Sequence, residues 1–315
     1  MRSQAPIRVL VAEELRYFVR YVEMPADIEI EWLTASQPVP EGDYLGLLPL
    51  LSRRIDDALL DRLPELKVVA NCAVGFDNFE LEAMRARGVV ASNTPDVLTE
   101  ATADLTWALI LAVSRRLNEA ERLARDSGWR WHPTLLLGLE LRGRRLGLLG
   151  AGRIGQAVGR RGVPFGMEVA YWDRAGQPEF EAEIGAVRIE RLDDILPICD
   201  VVSIHVQLSE ATTGLLGATQ LGWMKEGAIL INTARGGIVD DGALCSALEA
   251  GRLRGAGLDV YENEPEIRDC LKALPNVVLL PHIGSATEDT RRRMFELAWS
   301  NLIRGVRGEP LITPV

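Results

Sequence analysis

Residues 145–161, RLGLLGAGRIGQAVGRR, carry the clearest indication of the fold of this chain. Its first part is an apolar run typical of a buried strand, and its last part has the pattern of a helix. Between them lie Gly150, Gly152 and Gly155, in the spacing GxGxxG. The first glycine permits a tight turn, the second lets the backbone approach a pyrophosphate, and the third packs the helix on the strand. We therefore predict that these glycines, with Arg153 and Ile154 between them, bind a dinucleotide.

An acidic residue follows at the position that such a site requires. The next predicted strand ends in YWDR, which places Asp173 eighteen residues after Gly155. A carboxylate there accepts hydrogen bonds from the adenosine ribose hydroxyls and repels the 2′-phosphate of NADP. The sequence therefore favours NAD. Arg174 argues against this preference for NAD, because its guanidinium could bind the 2′-phosphate. NADP therefore stays an alternative cofactor.

Short apolar runs rich in β-branched residues alternate with helical patterns along the chain. The runs are typical of strands and lie at residues 7–12, 28–33, 44–50, 67–74, 88–93, 145–150, 168–173, 199–206, 227–234, 255–260 and 276–282. Strand–helix alternation predicts parallel sheets covered by helices on both faces, and thus an α/β fold. The length of 315 residues suggests about two domains.

One helical pattern marks a domain boundary. Residues 99–117 repeat apolar side chains on one helical face, Thr99 is a suitable N-cap, and Pro95 ends the preceding element. The last helical pattern, 286–306, is too short to form a domain and is expected to fold back on the first one. The predicted domains are a dinucleotide-binding domain at 97–283, and a discontinuous substrate domain at 1–96 and 284–315.

Composition excludes several classes of protein. The net charge of −10 argues against nucleic acid or an anionic membrane as a partner. The N-terminus lacks the apolar core of a signal peptide, and no apolar stretch approaches the roughly 20 residues of a transmembrane helix. The four cysteines show neither CxxC spacing nor clustering with the three histidines. We interpret them as reduced thiols of a cytoplasmic enzyme, without a disulfide frame or a metal site.

Ionisable residues follow three predicted strands in the second half of the chain. Arg235 lies in NTARGG, Asp259, Glu262 and Glu264 lie in LDVYENEP, and His282 lies in LLPHIGS. Taken singly, Arg235 is typical of a surface ion pair and Glu264 of a turn. The carboxyl ends of parallel strands meet at one crevice, however, where an arginine can bind a carboxylate and a histidine backed by a carboxylate can donate a proton. Together these residues predict proton donation coupled to hydride transfer.

Six segments resemble the D-2-hydroxyacid dehydrogenase family, and most closely its glyoxylate/hydroxypyruvate reductase branch. They are VVANCAVGFDNFE, NTPDVLTEATADL, GAGRIGQAVGRR, NTARGGIVDDGAL, GAGLDVYENEP and LPNVVLLPHIGSAT, and the similarity runs from about Leu47 to the C-terminus. The resemblance implies two flavodoxin- or Rossmann-like domains and an NAD(P)-dependent D-2-hydroxyacid dehydrogenase. Glyoxylate or hydroxypyruvate would be reduced to the D-2-hydroxy acid.

The resemblance also implies roles for individual residues. Arg235 would bind the substrate carboxylate and carbonyl, His282 would be the acid/base, and Glu264, unlike Glu262, would be its partner. The loop Ala73, Val74 and Gly75 would bind the substrate carboxylate through its backbone amides. Leu51 and Ser285 would line the substrate pocket. The residues implied around the cofactor, besides the glycine stretch, are Asp173, Arg174, His205, Thr233, Ala234, Asp259 and His282, with Asp259 and Ala234 at the nicotinamide carboxamide.

Several features separate this sequence from its relatives. Residues 34–43 replace the crossover helix that the family usually has between two strands of the smaller domain. Val74 stands where related phosphite dehydrogenases carry lysine, which argues against phosphite. A homodimer is expected, in which Trp131 either reaches the partner subunit's active site or only anchors the interface.

Two alternative functions stay open. One is a non-enzymatic NADH-sensing scaffold, like the transcriptional co-repressors that resemble this family. The other is a family dehydrogenase with a bulkier 2-oxo acid or a phosphoglycerate-type substrate. Because the sequence stops at Val315, we expect no regulatory domain of the kind that many phosphoglycerate dehydrogenases carry.

Overall fold

The computed structural model describes residues 5–35 and 37–315. The chain divides into two compact units. The first comprises the residues up to Leu98 together with Ser285–Val315, and the second comprises Thr99–Gly284. Each unit contains one sheet of parallel strands, so the predicted α/β class is confirmed. In the part of the chain that the structure describes, no helix is both long and apolar enough to cross a membrane.

The first unit is built on a five-stranded sheet. Its strands are β1 (Ile7–Ala12), β2 (Ile28–Leu33), β3 (Gly46–Leu48), β4 (Val68–Ala70) and β5 (Val90–Ser92). Their order across the sheet is β2-β1-β3-β4-β5, which is the flavodoxin-like order. The helices of this unit are α1 (Asp57–Arg62), α2 (Leu81–Ala86), α11 (Glu288–Val306) and a 3₁₀ helix at Glu13–Tyr21. Between β2 and β3 the described residues form no helix, which agrees with the short segment noted in the sequence.

Helix α11 packs closely on strands β3 and β4 of this sheet. Two glycines permit the approach. A Cβ atom on Gly46 would lie 2.6 Å from Leu302 Cδ1, and one on Gly305 would lie 2.5 Å from Val68 Cβ. Glycine at these two positions therefore lets the last helix complete the core of the first unit.

The second unit is built on a seven-stranded sheet. Its strands are β6 (Arg145–Leu149), β7 (Glu168–Trp172), β8 (Val187–Arg188), β9 (Val201–Ile204), β10 (Ala228–Asn232), β11 (Leu253–Leu258) and β12 (Val277–Leu279). Their order is β12-β11-β10-β9-β6-β7-β8. The order reverses between β6 and β9, and ligands of such sheets bind at the carboxyl ends of the strands at this point.

Helices cover both faces of the seven-stranded sheet. They are α3 (Thr99–Ser114), α4 (Leu117–Arg125), α5 (Arg153–Gly162), α6 (Pro178–Ile184), α7 (Leu192–Ile195), α8 (Ala218–Trp223), α9 (Asp241–Glu249), α10 (Asp269–Ala273) and a 3₁₀ turn at Leu196–Ile198. Side chains of β10 alternate between two buried apolar clusters, with Ile229 and Ile231 in one and Leu230 in the other. This alternation is the pattern of a strand buried on both faces.

The helix predicted at 99–117 is shorter than the sequence pattern suggests. It ends at Ser114, Arg116 takes a left-handed conformation with φ 54°, and α4 begins at Leu117. The N–H group of Leu139 donates a hydrogen bond of 2.7 Å to the carbonyl oxygen of Ser114. The helix end is thus stabilised by a residue distant in sequence, which a local periodicity cannot reveal.

The interpretation of all four cysteines as reduced thiols is wrong for two of them. Cys245 of α9 and Cys270 of α10 form a disulfide, with their Cα atoms 6.0 Å apart and the two residues 25 positions apart in sequence. Cys72 and Cys199 are free and buried. The tertiary fold brings the two helices together, and neither cysteine lies in a short-spaced motif that would have indicated the pairing. The cysteine argument for a reducing compartment therefore rests on Cys72 and Cys199 alone.

Candidate active site

The glycine-rich turn joins β6 to α5 at the reversal of strand order. Gly150 has φ +98°, and a Cβ atom there would lie 2.7 Å from the carbonyl carbon of His205 at the end of β9. A Cβ atom on Gly155 would lie 2.2 Å from the Gly150 carbonyl oxygen, so the helix must pack here without a side chain. A Cβ atom on Gly152 would meet nothing within 4 Å. Open space at Gly152, directly before the N-terminus of α5, fits the diphosphate of a dinucleotide.

Asp173 follows β7 and lies beside this turn. Its Oδ2 atom accepts a hydrogen bond of 2.8 Å from the N–H group of Ala151. The guanidinium of Arg188 donates to the carbonyl oxygens of Asp173 and Arg174, at 3.2 and 3.0 Å. The carboxylate is therefore fixed next to the proposed diphosphate position, and the Arg174 backbone is fixed with it.

His205 follows β9 on the other side of the glycine turn. Its Nε2 atom lies 2.9 Å from the hydroxyl oxygen of the buried Ser203. Burial lowers the pKa of His205 to about 3, because the charged imidazole would lose its hydration. The ring is therefore neutral near physiological pH, which makes His205 a wall of the site and not a proton donor.

Arg235 lies in a turn that follows β10. The buried side chain of Asn232 fixes this turn at both ends. Its Oδ1 atom accepts from the N–H group of Ala234 at 3.0 Å, and its amide donates to the Arg235 carbonyl oxygen at 2.9 Å. The hydroxyl of Thr233 lies 2.8 Å from that of Thr106 in α3. The guanidinium of Arg235 donates to the Ala234 carbonyl oxygen at 2.7 Å.

Glu264 and His282 form a direct side-chain pair. The Nδ1 atom of His282 lies 2.7 Å from Oε2 of Glu264, while Oε1 of Glu264 accepts from the N–H group of Tyr261 at 3.0 Å. Both side chains are about one-third exposed, at 36% for His282 and 32% for Glu264. His282 also has φ 56°, a left-handed conformation that is uncommon outside glycine. The pair is thus held by its turns yet accessible to a ligand.

The charges around Glu264 keep it ionised. Burial opposes the charged carboxylate, but the hydrogen bond and charge of His282, the Tyr261 N–H group and the charge of Arg235 outweigh burial. Together they hold the pKa of Glu264 below its ordinary value. An ionised Glu264 accepts from Nδ1–H, which leaves Nε2 of His282 as the nitrogen that can exchange a proton with a ligand.

Asp259 supports the same histidine through the backbone. It is 1% exposed, and its two carboxylate oxygens accept the N–H groups of Ile283 and Gly284, at 2.8 and 2.7 Å. Burial raises the pKa of Asp259 in spite of these two bonds. Its predicted contact with a nicotinamide carboxamide stays a prediction, and the contacts that it makes in this structure fix the turn after His282.

The loop after β4 in the first unit presents backbone amides. The carbonyl oxygens of Ala73, Val74 and Gly75 accept hydrogen bonds of 2.7–2.8 Å, from the Thr94 N–H group and from the side chains of Asn93 and Asn71 respectively. Among the described residues, none accepts a hydrogen bond from the N–H groups of these three positions. Successive backbone amide groups of this kind are a known type of anion-binding element.

Three further predicted residues are exposed or only partly buried. Leu51 is half-buried, and the carbonyl oxygen of Ser285 accepts from the Thr287 N–H group at 2.9 Å. Trp131 is 76% exposed. The sequence reasoning missed the asparagines that fix the turns, Asn71, Asn93 and Asn232. Each of them stands at or just after the end of a strand, which is the signal that could have identified them.

A family comparison covers more than half of this chain. The model of the D-isomer specific 2-hydroxyacid dehydrogenase, NAD binding domain, matches residues 107–284. The chain belongs to this family. The resemblance inferred from the six sequence segments is confirmed. The matched residues include the glycine turn, the Arg235 turn and the Glu264–His282 pair, so these features lie in the NAD-binding domain of a 2-hydroxyacid dehydrogenase.

Curated relatives and solved structures extend the similarity to nearly the whole chain. The glyoxylate reductase of Thermococcus litoralis is 44% identical over 92% of this chain and 91% of its own length. That of Aeropyrum pernix is 48% identical over 89% of this chain and 88% of its own. The crystal structure of a Thermus thermophilus protein is 45% identical with a TM-score of 0.88, covering 98% of this chain and 100% of its own. The NADPH-dependent glyoxylate/hydroxypyruvate reductase of Sinorhizobium meliloti, solved with NADP and malonate, is 34% identical with a TM-score of 0.87, covering 99% and 97%.

Proposed function

We propose that this 2-hydroxyacid dehydrogenase reduces a small 2-oxo acid, glyoxylate or hydroxypyruvate, to the D-2-hydroxy acid with NADH. The proposal rests chiefly on the pairing of Nδ1 of His282 with Glu264 in the NAD-binding domain of the family. Arg235 is near enough for its positive charge to lower the pKa of Glu264. The similarity to two glyoxylate reductases supports a small 2-oxo acid as the substrate.

Each residue of this group has a distinct task in the proposed reaction. Bound NADH supplies the hydride for C2 of the substrate. His282 gives the proton on Nε2 to the oxygen that becomes the hydroxyl, and Glu264 stabilises the imidazolium before this transfer and fixes the tautomer after it. Arg235 binds the substrate carboxylate and polarises the neighbouring carbonyl through its planar set of N–H donors.

The first unit is proposed to bind the substrate carboxylate. The N–H groups of Ala73, Val74 and Gly75 are suited to this role, because their carbonyl oxygens are already bonded within the unit. Leu51 and Ser285 are proposed to line the substrate pocket. In this proposal the first unit is the substrate domain and the second is the dinucleotide-binding domain, with boundaries near those predicted at residues 96/97 and 283/284.

NAD is the proposed cofactor, with NADP as the alternative. Asp173 is fixed beside the glycine turn by its bond to Ala151, which places a negative charge where an extra phosphate would be repelled. Arg174 is the residue proposed to accommodate that phosphate if NADP binds. Thr233, Ala234 and Asp259 are proposed at the nicotinamide end. A homodimer with the exposed Trp131 at its interface, and a cytoplasmic location, complete the proposal.

A spectrophotometric assay tests the proposed function. Purified protein is mixed with NADH and a panel of 2-oxo acids, and the absorbance of the reduced nicotinamide is followed. We expect oxidation of NADH with glyoxylate and hydroxypyruvate, and slower oxidation with 2-oxo acids that carry bulky side chains. NADH binding without turnover of any member of the panel would instead favour the sensing scaffold. A preference for a bulky 2-oxo acid would show that the proposed substrate is wrong, although the proposed type of reaction would still hold.

A further inference from the structure

The segment that carries Glu264 packs unusually close to the Arg235 turn. This carboxylate segment, Tyr261–Asp269, runs from the end of β11 to the start of α10. A Cβ atom on Gly236 would lie 1.6 Å from the Tyr261 carbonyl oxygen and 2.8 Å from the Glu262 nitrogen. No side chain of any size fits between the two backbones. Glycine at position 236 therefore sets the separation of Arg235 from the segment that carries Glu264.

A buried carboxylate holds the same peptide from the other side. Asp241, the first residue of α9, is 4% exposed and accepts a hydrogen bond of 3.2 Å from the N–H group of Glu262. Burial raises the pKa of Asp241, with the Glu262 N–H group acting in the opposite direction. The side chain of Glu262 pairs with Arg268 at 3.0 Å, which ties the two ends of the segment together. Asp241 thus anchors the peptide two residues before Glu264.

The disulfide anchors the far end of the segment to the same helix. Cys245 lies one helical turn after Asp241, and its partner Cys270 directly follows the carboxylate segment. Helix α9 therefore holds the segment at both ends, by a hydrogen bond at Glu262 and by a covalent bond at Cys270. Glu264 lies between these two attachments.

We propose that Gly236, Asp241 and the Cys245–Cys270 disulfide form a clasp that positions Glu264 against His282 and relative to Arg235. Its three members are positioning residues, since each acts through Glu264. The inference rests on the proposed function for its kinetic consequences, whereas the clasp itself is a property of the fold. The charged groups that face Glu264 are His282 and Arg235, with the buried Asp259 nearby, and those that face Asp241 are Glu262, Arg268 and Asp240.

Substitution of Gly236 tests the close approach. Gly236→Ala should lower kcat/KM for glyoxylate by about a hundredfold, because displacement of catalytic groups by about 1 Å costs that much. Affinity for NADH, measured by fluorescence titration, should stay within about twofold of the parent value because the glycine turn is untouched. Gly222→Ala in α8 is the matched control, since a Cβ atom there meets nothing within 4 Å, and it should retain the parent activity.

Substitution of Asp241 separates positioning from general stability. Asp241→Ala should lower kcat/KM by about tenfold, the equivalent of one buried hydrogen bond, and should shift the pH profile because the Glu264–His282 pair loosens. Asp241→Asn keeps an oxygen that can accept from the Glu262 N–H group and should restore most of the loss. A loss in Asp241→Ala with an unchanged pH profile, or no restoration by asparagine, would overturn the positioning role.

Reduction of the disulfide tests the covalent attachment. Dithiothreitol supplies two electrons and two protons, ends as its cyclic disulfide, and leaves thiols at Cys245 and Cys270. Treatment of the parent should lower kcat/KM by about threefold through displacement of Glu264, and the double variant Cys245→Ser/Cys270→Ser should show the same loss without any response to dithiothreitol. If dithiothreitol lowered kcat/KM of the double variant as much as that of the parent, the loss would arise from groups other than this disulfide, and the clasp would be overturned.

Hydrogen–deuterium exchange gives a readout that does not depend on turnover. Peptides that cover residues 259–268 should exchange faster in Asp241→Ala and in reduced protein, while those that cover the glycine turn should not change. If the parent turns over no 2-oxo acid, the proposed function fails and the exchange result still decides the clasp. If the parent is active but exchange and pH profile are the same in every variant, the clasp is wrong and the proposed function stands.

Discussion

Nδ1 of His282 lies 2.7 Å from Oε2 of Glu264, although the two residues are 18 positions apart in sequence. The contact joins the end of β12 to the segment after β11, two neighbouring strands of one parallel sheet. A carboxylate on one ring nitrogen leaves the other nitrogen to exchange a proton with a ligand.

His282→Ala should remove the proton donor without damaging the cofactor site. We expect kcat/KM for glyoxylate to fall by about 10²–10⁴-fold, the usual contribution of a general acid. NADH affinity, measured by fluorescence titration, should change little, because the glycine turn and Asp173 keep their contacts. A collapse of NADH binding in this variant would show that His282 is structural.

Glu264→Gln should be far more harmful than Glu262→Gln. The first substitution removes the negative charge paired with His282, whereas the second affects only the ion pair with Arg268. We expect at least about tenfold loss of kcat for Glu264→Gln, because the imidazole that donates the proton loses the carboxylate that holds it. Equal losses in the two variants would contradict the assignment of Glu264. Steady-state kinetics of both variants and the parent with glyoxylate and NADH provide the comparison.

Arg235→Lys should not preserve activity, although the charge is kept. An ammonium group is a single point of charge and cannot present the planar, two-pronged set of donors that matches a carboxylate. We expect KM for glyoxylate to rise and kcat/KM to fall by about tenfold or more, equivalent to one charge-assisted hydrogen bond. Acetate, which offers a carboxylate without a carbonyl, should inhibit the parent better than the variant.

Asp173→Ala should shift the preference between cofactors. Removal of the carboxylate takes away the repulsion of a 2′-phosphate and the hydrogen bonds to the ribose hydroxyls, while Arg174 remains. We expect kcat/KM to fall for NADH and to rise for NADPH. A parent protein that already prefers NADPH would show that Asp173 does not select the cofactor.

His205 should make the folded state less stable in acid. Unfolded histidine gains its proton near pH 6.5, whereas the folded pKa is lowered to about 3. The unfolded state therefore binds more protons between these values, so the free energy of unfolding falls as pH falls through this window. The contribution of His205 is at most about 1.4 kcal/mol per pH unit.

His205→Gln is the test of this pH dependence. Glutamine stays neutral throughout the window, so the variant should lose less stability than the parent on acidification. Urea unfolding at a series of pH values measures the difference. If the free energy of unfolding changed with pH equally in parent and variant, His205 would not be buried in its neutral form.

Much of the candidate site could be predicted because its signals are local. The glycine spacing after an apolar run predicts a turn between strand and helix, and the position of Asp173 follows from the length of one helix and one strand. Arg235 and His282 were identified because each follows a strand, and parallel strands end at the same edge of a sheet. The role of Glu264, in contrast, came from the family resemblance, since the sequence alone offers Glu262 equally well.

Local sequence patterns are sufficient to predict the alternation of strands and helices, the dinucleotide-binding turn and the chemical types of the groups at the strand ends. These depend on neighbours within a few residues, whose conformational preferences are encoded locally. Three contacts become visible only in the folded chain. Cys245 pairs with Cys270, Gly236 lies against Tyr261, and Asp241 accepts a hydrogen bond from the N–H group of Glu262. These contacts join residues about 20 or more positions apart, and they form because packing of the sheet and its helices brings distant segments together, which no short pattern records.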